Sequence, residues 1–367
     1  MHSMSSVIYS NMAPLKYAFE HASRIAIHEA HKRSINSVEE PDFVAMFVLE
    51  SVPYIASALR NVAASVGLST TVSSIYCHQK PTVEYSGGKK GCELGDVLLV
   101  HFHKDKNGWN SYRNSLLLQA KMFSGAKYRI PYQEQHQLEL YMGWPRFRYT
   151  RSGASLNGQT RDVRPKSAHP GAQYLLIDKG SPYNPSTGAL GFPHTHCMAV
   201  WPASEILYPM YSLADELIRF LMGASGRTFL DINKKGNDGW SQMVWDLINH
   251  SLTFVFSRTN ASINSASRFG GDQLVSSLTG MNFYIDDCND LHISSSRDIA
   301  NRINIQHKRI RNDYRRSDNS SNTSDCEDIG DGSLDGLGSV SLVLIETHGE
   351  LDMWNDGVIP GTESILS

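Results

Sequence analysis

The sequence predicts an α/β fold in which a mixed β-sheet is flanked by helices. Three observations point there. First, two apolar runs rich in Val, Leu and Phe, residues 97–102 and 116–121, have the length of buried strands and are separated by a polar stretch, 103–114. Second, helix-period segments stand on both sides of that pair. Third, further strand-like runs at 174–177, 198–201 and 340–346 alternate with apolar helical stripes at 205–222 and 240–256, a succession typical of α/β architectures.

In order along the chain, 14–34 carries Leu15, Ala18, Phe19, Ala22, Ile25 and Ala26 at helical spacing. His28 and His31 lie three apart on it, but no third metal ligand is spaced nearby, and a surface helix tolerates such a pair. A second helix is expected over 39–66, with Phe43, Phe47, Tyr54 and Leu59 turned inward. Ser37 and Glu40 have the spacing of a capping box at its start. Residues 70–85 read as two short β runs about His78–Pro81, the expected first strand of the core. The turn 86–91 lacks the spacing of a phosphate-cradling P-loop, and Lys89 and Lys90 are read there as solvated.

The pair 97–102 and 116–121 carries the chemistry. Period-2 geometry puts Leu117, Gln119 and Lys121 on one face, and a fold-back pairing Phe102 near Ser115 would bring Asp96 opposite Lys121. A carboxylate, an amide and an ammonium then converge. Carboxylate and amide oxygens hold hard divalent cations, and an ammonium stabilises the charge that builds when water attacks a phosphodiester. The alternative is structural: Asp96 caps a strand and Lys121 is its ion-pair partner.

A helix is expected over 133–144, with Leu138, Leu140 and Tyr141 among Gln135, Gln137 and Glu139, and Trp144-Pro145 ends it. Arg146, Arg148 and Arg151 interleave with Phe147 and Tyr149. That mix suits phosphate contact and base stacking, or else a strand whose aromatics face the core and whose arginines face water. Residues 151–169 read as a loop. His194, His196 and Cys197 invite a zinc reading, which the alternating faces of an extended segment and the lack of a fourth ligand disfavour. The stripes 205–222 (Leu207, Tyr211, Leu213, Leu217, Ile218, Leu221) and 240–256 (Trp240, Met243, Val244, Leu247, Ile248, Leu252) are read as packing helices. Basic residues gather over 301–316, among them Lys308, Arg309 and Arg311. Residues 317–338 hold only acidic charges and read as a disordered linker on composition. The run 340–346 then returns to a strand pattern.

Asp96 followed by Gln119-Ala120-Lys121, with a helix before, a strand opened by Asp96, a strand closed by Gln-x-Lys and a helix after, resembles the PD-(D/E)XK nuclease superfamily in its variant with glutamine for the second acid. The resemblance covers about 40–149. It implies a restriction-endonuclease-like mixed sheet flanked by helices, with a helix-rich C-terminal elaboration. On it the chain divides into an N-terminal helix (1–36), the nuclease-like core (37–202), a helical elaboration (203–316), the acidic linker (317–338) and a C-terminal strand and tail (339–367). It also implies Mg²⁺- or Mn²⁺-dependent phosphodiester hydrolysis. Asp96 would be the principal metal ligand, Gln119 and the Ala120 carbonyl would complete the inner sphere with water, and Lys121 would orient or activate the attacking water. The superfamily often adds a glutamate from the helix before the sheet: Glu40 is the first choice and Glu50 the second, against the capping role. The implied substrate is nucleic acid, DNA before RNA, with Arg146, Arg148, Lys308, Arg309 and Arg311 as weaker candidates for contact. The implied setting is bacterial restriction or antiphage defence, with a second copy or a defence-system protein as partner. The rival reading is a catalytically inactive subunit that binds nucleic acid or scaffolds with the same fold.

Composition limits these readings without choosing between them. At 367 residues, 41% hydrophobic and 10% aromatic, the chain supports a sizeable core in one enlarged domain or two packed units. A net charge of −3 neither demands nor forbids a local nucleic-acid surface. Five scattered cysteines without C-x-x-C spacing fit reduced thiols in a cytoplasmic protein, and no signal peptide or uninterrupted apolar run of about 18 residues points to export or a membrane.

Overall fold

The computed structural model describes residues 4–33, 38–77, 81–85, 91–107, 110–124, 126–151, 156–178, 197–202, 204–209, 211–230, 238–257, 283–285 and 340–350. The helices are α1 (Met4–Ser10), α2 (Met12–Arg33), α3 (Glu40–Met46), α4 (Val52–Ser65), α5 (Gln135–Gly143), α6 (Leu213–Leu221) and α7 (Gly239–Ser257). A π-helical turn, Phe47–Ser51, joins α3 to α4, and a 3₁₀ turn, Tyr132–Glu134, leads into α5. The strands are β1 (Ser69–Ile75), β2 (Thr82–Tyr85), β3 (Cys92–Glu93), β4 (Val97–Lys104), β5 (Asn110–Phe123), β6 (Tyr128–Arg129), β7 (Phe147–Arg151), β8 (Thr160–Arg161), β9 (Ala172–Asp178), β10 (Cys197–Val200), β11 (Ile206–Leu207), β12 (Tyr211–Ser212), β13 (Arg227–Thr228), β14 (Phe283–Ile285) and β15 (Ser341–His348).

The main sheet runs β12-β10-β9-β5-β4-β15-β1-β14, with β13 also paired to β5. It is mixed: β5 lies parallel to β9 and β15 parallel to β4, while the other pairings are antiparallel. Alternation along the strands divides the core in two. Leu116, Leu118, Ala120 and Met122 of β5 face the cluster built with α1 to α4 and α6. Leu117 and Phe123 face the cluster built with α5, α7 and a small sheet, β3-β2-β7-β8. The protein is thus an α/β fold whose mixed sheet is flanked by helices.

Several local expectations shift for identifiable reasons. Residues 70–85 split between two sheets, β1 in the main one and β2 in the small one. Tyr54 is 46% exposed rather than inward. The π turn inserts an extra residue into the helical period, so Ile55 rather than Tyr54 follows Phe47 onto the core face, and Leu59 comes one turn later. The α3–α4 run, Glu40–Ser65, is long and apolar enough to cross a membrane, but it packs against α2 and β1 with 72% of its most apolar window buried inside the protein. Residues 205–222 are not one helix. Leu207 and Tyr211 lie in short strands, and α6 begins only after Ser212, whose Oγ accepts from the Asp215 N–H at 2.9 Å as an N-cap.

The polar stretch 103–114 forms less of a loop than its composition suggests. β4 extends to Lys104 and β5 starts at Asn110, because the polar side chains have buried partners. His101 and His103 share the Thr347 hydroxyl of β15, at 3.1 and 2.8 Å. Asn114 donates to the carbonyls of Phe220 and Ser225.

Candidate functional site

β5 outruns β4. The antiparallel ladder ends at Val97 opposite Leu118, while β5 continues to Phe123, paired on its other side with β9 as far as Asp178. Beyond Leu118, alternate main-chain groups of β5 therefore face an edge that no strand covers among the described residues, and two carboxylates take the strand's place. Asp96, just ahead of β4, accepts the Ala120 N–H through Oδ2 at 2.7 Å. Glu40, the first residue of α3, accepts the Met122 N–H through Oε1 at 3.0 Å. The same alternation puts the Ala120 carbonyl on this edge, between the two acids.

This register differs by two residues from the expected one. Phe102 pairs with Arg113 rather than near Ser115, so Asp96 lies beside residues 118–120 and not across from Lys121. A shift of two preserves the face, and Gln119 and Lys121 still point to the α5 side. The capping box is displaced as well: Asp42 accepts the Glu39 N–H at 2.9 Å, which leaves the Glu40 carboxylate to reach the strand. Ser37 lies outside the described residues. Glu50 sits ten residues after Glu40, in the π turn and about 15 Å further along the helix.

Gly95 makes the entry to β4 possible. A Cβ there would stand 2.6 Å from Leu117 Cδ1 and 3.2 Å from the Tyr141 hydroxyl, which itself donates to the Leu94 carbonyl at 2.8 Å. The site floor is thus close-packed. Burial pushes the Asp96 carboxyl up to about 7, with the charge of Glu93 next in weight. Lys121 and the Ala120 N–H oppose the rise, and Glu40 adds to it.

Gln119 is buried. Its Oε1 accepts from Gln137 Nε2 at 2.5 Å, and the same Gln137 amide donates to the Glu93 carbonyl at 3.1 Å. Lys121, with a side chain 12% exposed, pairs not with Asp96 but with Glu134 of the 3₁₀ turn, at 2.9 Å. Tyr128 donates to that same carboxylate at 3.4 Å. Sequence reasoning did not assign Glu93, Glu134 and Gln137. The signal available was the i, i+3 spacing of Glu134 and Gln137 ahead of the α5 stripe, and of Glu93 and Asp96 across a glycine.

The groups on this edge are all oxygens, the Asp96 and Glu40 carboxylates and the Ala120 carbonyl, while the Gln119 amide lies on the α5 face with its oxygen toward Gln137. That chemistry suits Mg²⁺ or Mn²⁺ rather than a soft metal. A carboxylate whose ionisation is opposed by burial and by two like charges is also one that a cation would relieve. Among the described residues no group of three or more His, Cys, Asp and Glu side chains gathers at metal-binding range, so any such site depends on the amide and the carbonyl.

The other candidates are more dispersed. Phe147 and Tyr149 are buried in β7, with Tyr149 donating to Asp246, and so are not open to stacking. Arg148 pairs with Glu84 at 3.3 Å, and Arg146 reaches Thr160 at 3.4 Å, both at the surface. That is the strand whose aromatics face the core. Lys89, Lys90, His194, His196, Lys308, Arg309, Arg311 and the acidic stretch 317–338 lie outside the described residues. Comparison with protein-family models, with curated proteins and with solved structures finds no match.

Proposed function

We propose that this protein is a divalent-cation-dependent nuclease with a restriction-endonuclease-like core that hydrolyses phosphodiester bonds of nucleic acid, DNA first, in the cytoplasm of a cell using restriction or antiphage defence. The observation that supports the reading is that Asp96 and Glu40 take alternate N–H groups of β5, those of Ala120 and Met122, beside Gln119 and Lys121 of the same strand, and that Asp96 feels the charges of both Lys121 and Glu40. These residues resemble the PD-(D/E)XK pattern in its Q-x-K form.

Asp96, Glu40, the Ala120 carbonyl and Gln119 would hold Mg²⁺ or Mn²⁺, which when bound polarises the phosphate and acidifies water. Lys121 would turn its ammonium to the developing negative charge, leaving the ion pair with Glu134 that holds it in this structure. Gln137 orients the Gln119 amide so that its oxygen, not its nitrogen, faces the donor.

The test is incubation of purified protein with plasmid, linear duplex, single strands and RNA, with and without Mg²⁺ or Mn²⁺. Cleavage should require the cation and vanish in Asp96→Ala, whose circular dichroism should match wild type. Unchanged cleavage in that variant rules Asp96 out as a ligand. One observation favours the inactive-subunit reading: the Gln119 oxygen is already engaged by Gln137, and an amide contributes no charge to a cation site. That reading takes over if wild type neither binds Mg²⁺ nor cuts, and Gln119→Glu binds it for the first time.

A further inference from the structure

Where β5 leaves the sheet, Met122, Phe123, Ser124, Lys127, Tyr128 and Arg129 line a pocket of about 270 Å³. It adjoins the candidate site through two contacts already described. Met122 gives its N–H to Glu40, and Tyr128 donates to the same Glu134 carboxylate that holds Lys121. Lys127 and Arg129 are exposed, and no ion pair with a described residue engages either. They stand on either side of Tyr128, Arg129 within β6 and Lys127 just before it.

The strand opposite supplies aromatic surface. β6 pairs with β11 through Arg129 to Ile206 and Tyr128 to Leu207, and Lys127 and Tyr208 are the residues that flank this pairing at one end. Tyr208 is 58% exposed. Tyr132, three residues beyond Arg129, is 83% exposed. Two exposed cations on a segment flanked by uncovered tyrosine rings match what an unpaired strand offers: phosphates on one side and open base faces on the other. A duplex keeps its base faces stacked inside and offers nothing to Tyr208.

We propose that the β6–β11 ribbon and its pocket grip single-stranded nucleic acid, with backbone phosphates on Lys127 and Arg129 and a base on Tyr208. Cleavage of a strand held there rests on the nuclease reading. The grip itself does not.

The experiment is fluorescence anisotropy in EDTA with a labelled oligothymidylate of about 20 nucleotides and a duplex of equal length, over a salt series, beside a cleavage assay in Mg²⁺. Wild type should bind the single strand at least about tenfold more tightly than the duplex. The double variant Lys127→Glu/Arg129→Glu should lose about 10- to 100-fold in affinity and flatten the log–log salt slope by about 1.4, or 0.7 per phosphate released. Tyr208→Ala should lose about 5- to 100-fold with the salt slope intact. All three residues are at the surface, so thermal melts should match wild type. Equal affinity for the duplex, or an unaltered slope in the charge-reversed variant, overturns the proposal. If wild type cuts nothing but shows this binding pattern, the grip stands and the nuclease reading falls. If it cuts and the charge-reversed variant binds single strands unimpaired, the nuclease reading stands and the grip falls.

Discussion

Asp96→Asn tests the electrostatics of the site without presupposing any activity. Burial and the neighbouring acids raise the Asp96 carboxyl from 3.8 to about 7. Across that interval the unfolded chain has released the proton and the folded protein still holds it, so stability falls as pH rises through the window. At 1.36 kcal/mol per pH unit, the carboxylate costs about 4 kcal/mol of stability once fully ionised, at pH 8. Asparagine keeps an oxygen for the Ala120 N–H and has no proton to lose. Below pH 4 the two proteins should therefore differ by about 1 kcal/mol or less, and by pH 8 the variant should be more stable by up to about 4 kcal/mol. Urea unfolding midpoints at pH 4, 5, 6, 7 and 8 measure this directly. A variant that is less stable than wild type at pH 8, or that shows the same pH slope, refutes the account of the raised carboxyl. Adding Mg²⁺ at pH 8 then probes the metal reading: wild type should recover stability and Asp96→Asn should not.

Lys121→Ala should leave Mg²⁺ titration by calorimetry unchanged while turnover drops by about two to three orders of magnitude, the scale of a lost transition-state donor. Gln119→Glu should retain cleavage and lower the Mg²⁺ concentration that supports it, because a carboxylate is the stronger hard-cation ligand; a nicking assay over a Mg²⁺ series reads it. Gly95→Ala drives a methyl against Leu117 and should cost about 1–3 kcal/mol in urea unfolding, with loss of cleavage as Asp96 is displaced. Ending the chain at residue 339 removes β15 and leaves β4 and β1 with open edges; the product should partition into the insoluble fraction, and a soluble, cooperatively melting product would contradict the described sheet.

Legibility tracked how local each signal was. The β4–β5 pair, the faces of Gln119 and Lys121 and the helix that carries Glu40 all follow from periodicity within a few residues. The register did not, because nothing local distinguishes Phe102 beside Ser115 from Phe102 beside Arg113; the difference lies in how far polar residues such as His103 and Asn114 enter the sheet. Those side chains read as loop until Thr347 and the Phe220 carbonyl are known to meet them. The π turn was equally hidden: Phe47 and Tyr54 lie seven apart, a good α-helical repeat, and one inserted residue sends Tyr54 outward. The face of Lys121 was legible but its partner was not, since Glu134 reaches it only through the turn that leads into α5.

The placement of β15 also sets a schedule for folding. Ser341 donates its N–H to the Asp96 carbonyl, and its hydroxyl bonds to Cys77 across a sequence separation of 264 residues. At ribosomal rates of about 5–20 residues per second, β15 emerges on the order of 10–50 s after the strand it supports. Until then β4 has β5 on one side and nothing on the other, and Asp96 stands at the mouth of an unfinished sheet. A nascent chain thus carries every residue of the candidate site well before it can hold them in place. Synthesis interrupted before β15 therefore yields a chain whose β4 and β1 keep exposed edges, with the mouth of the sheet around Asp96 unfinished.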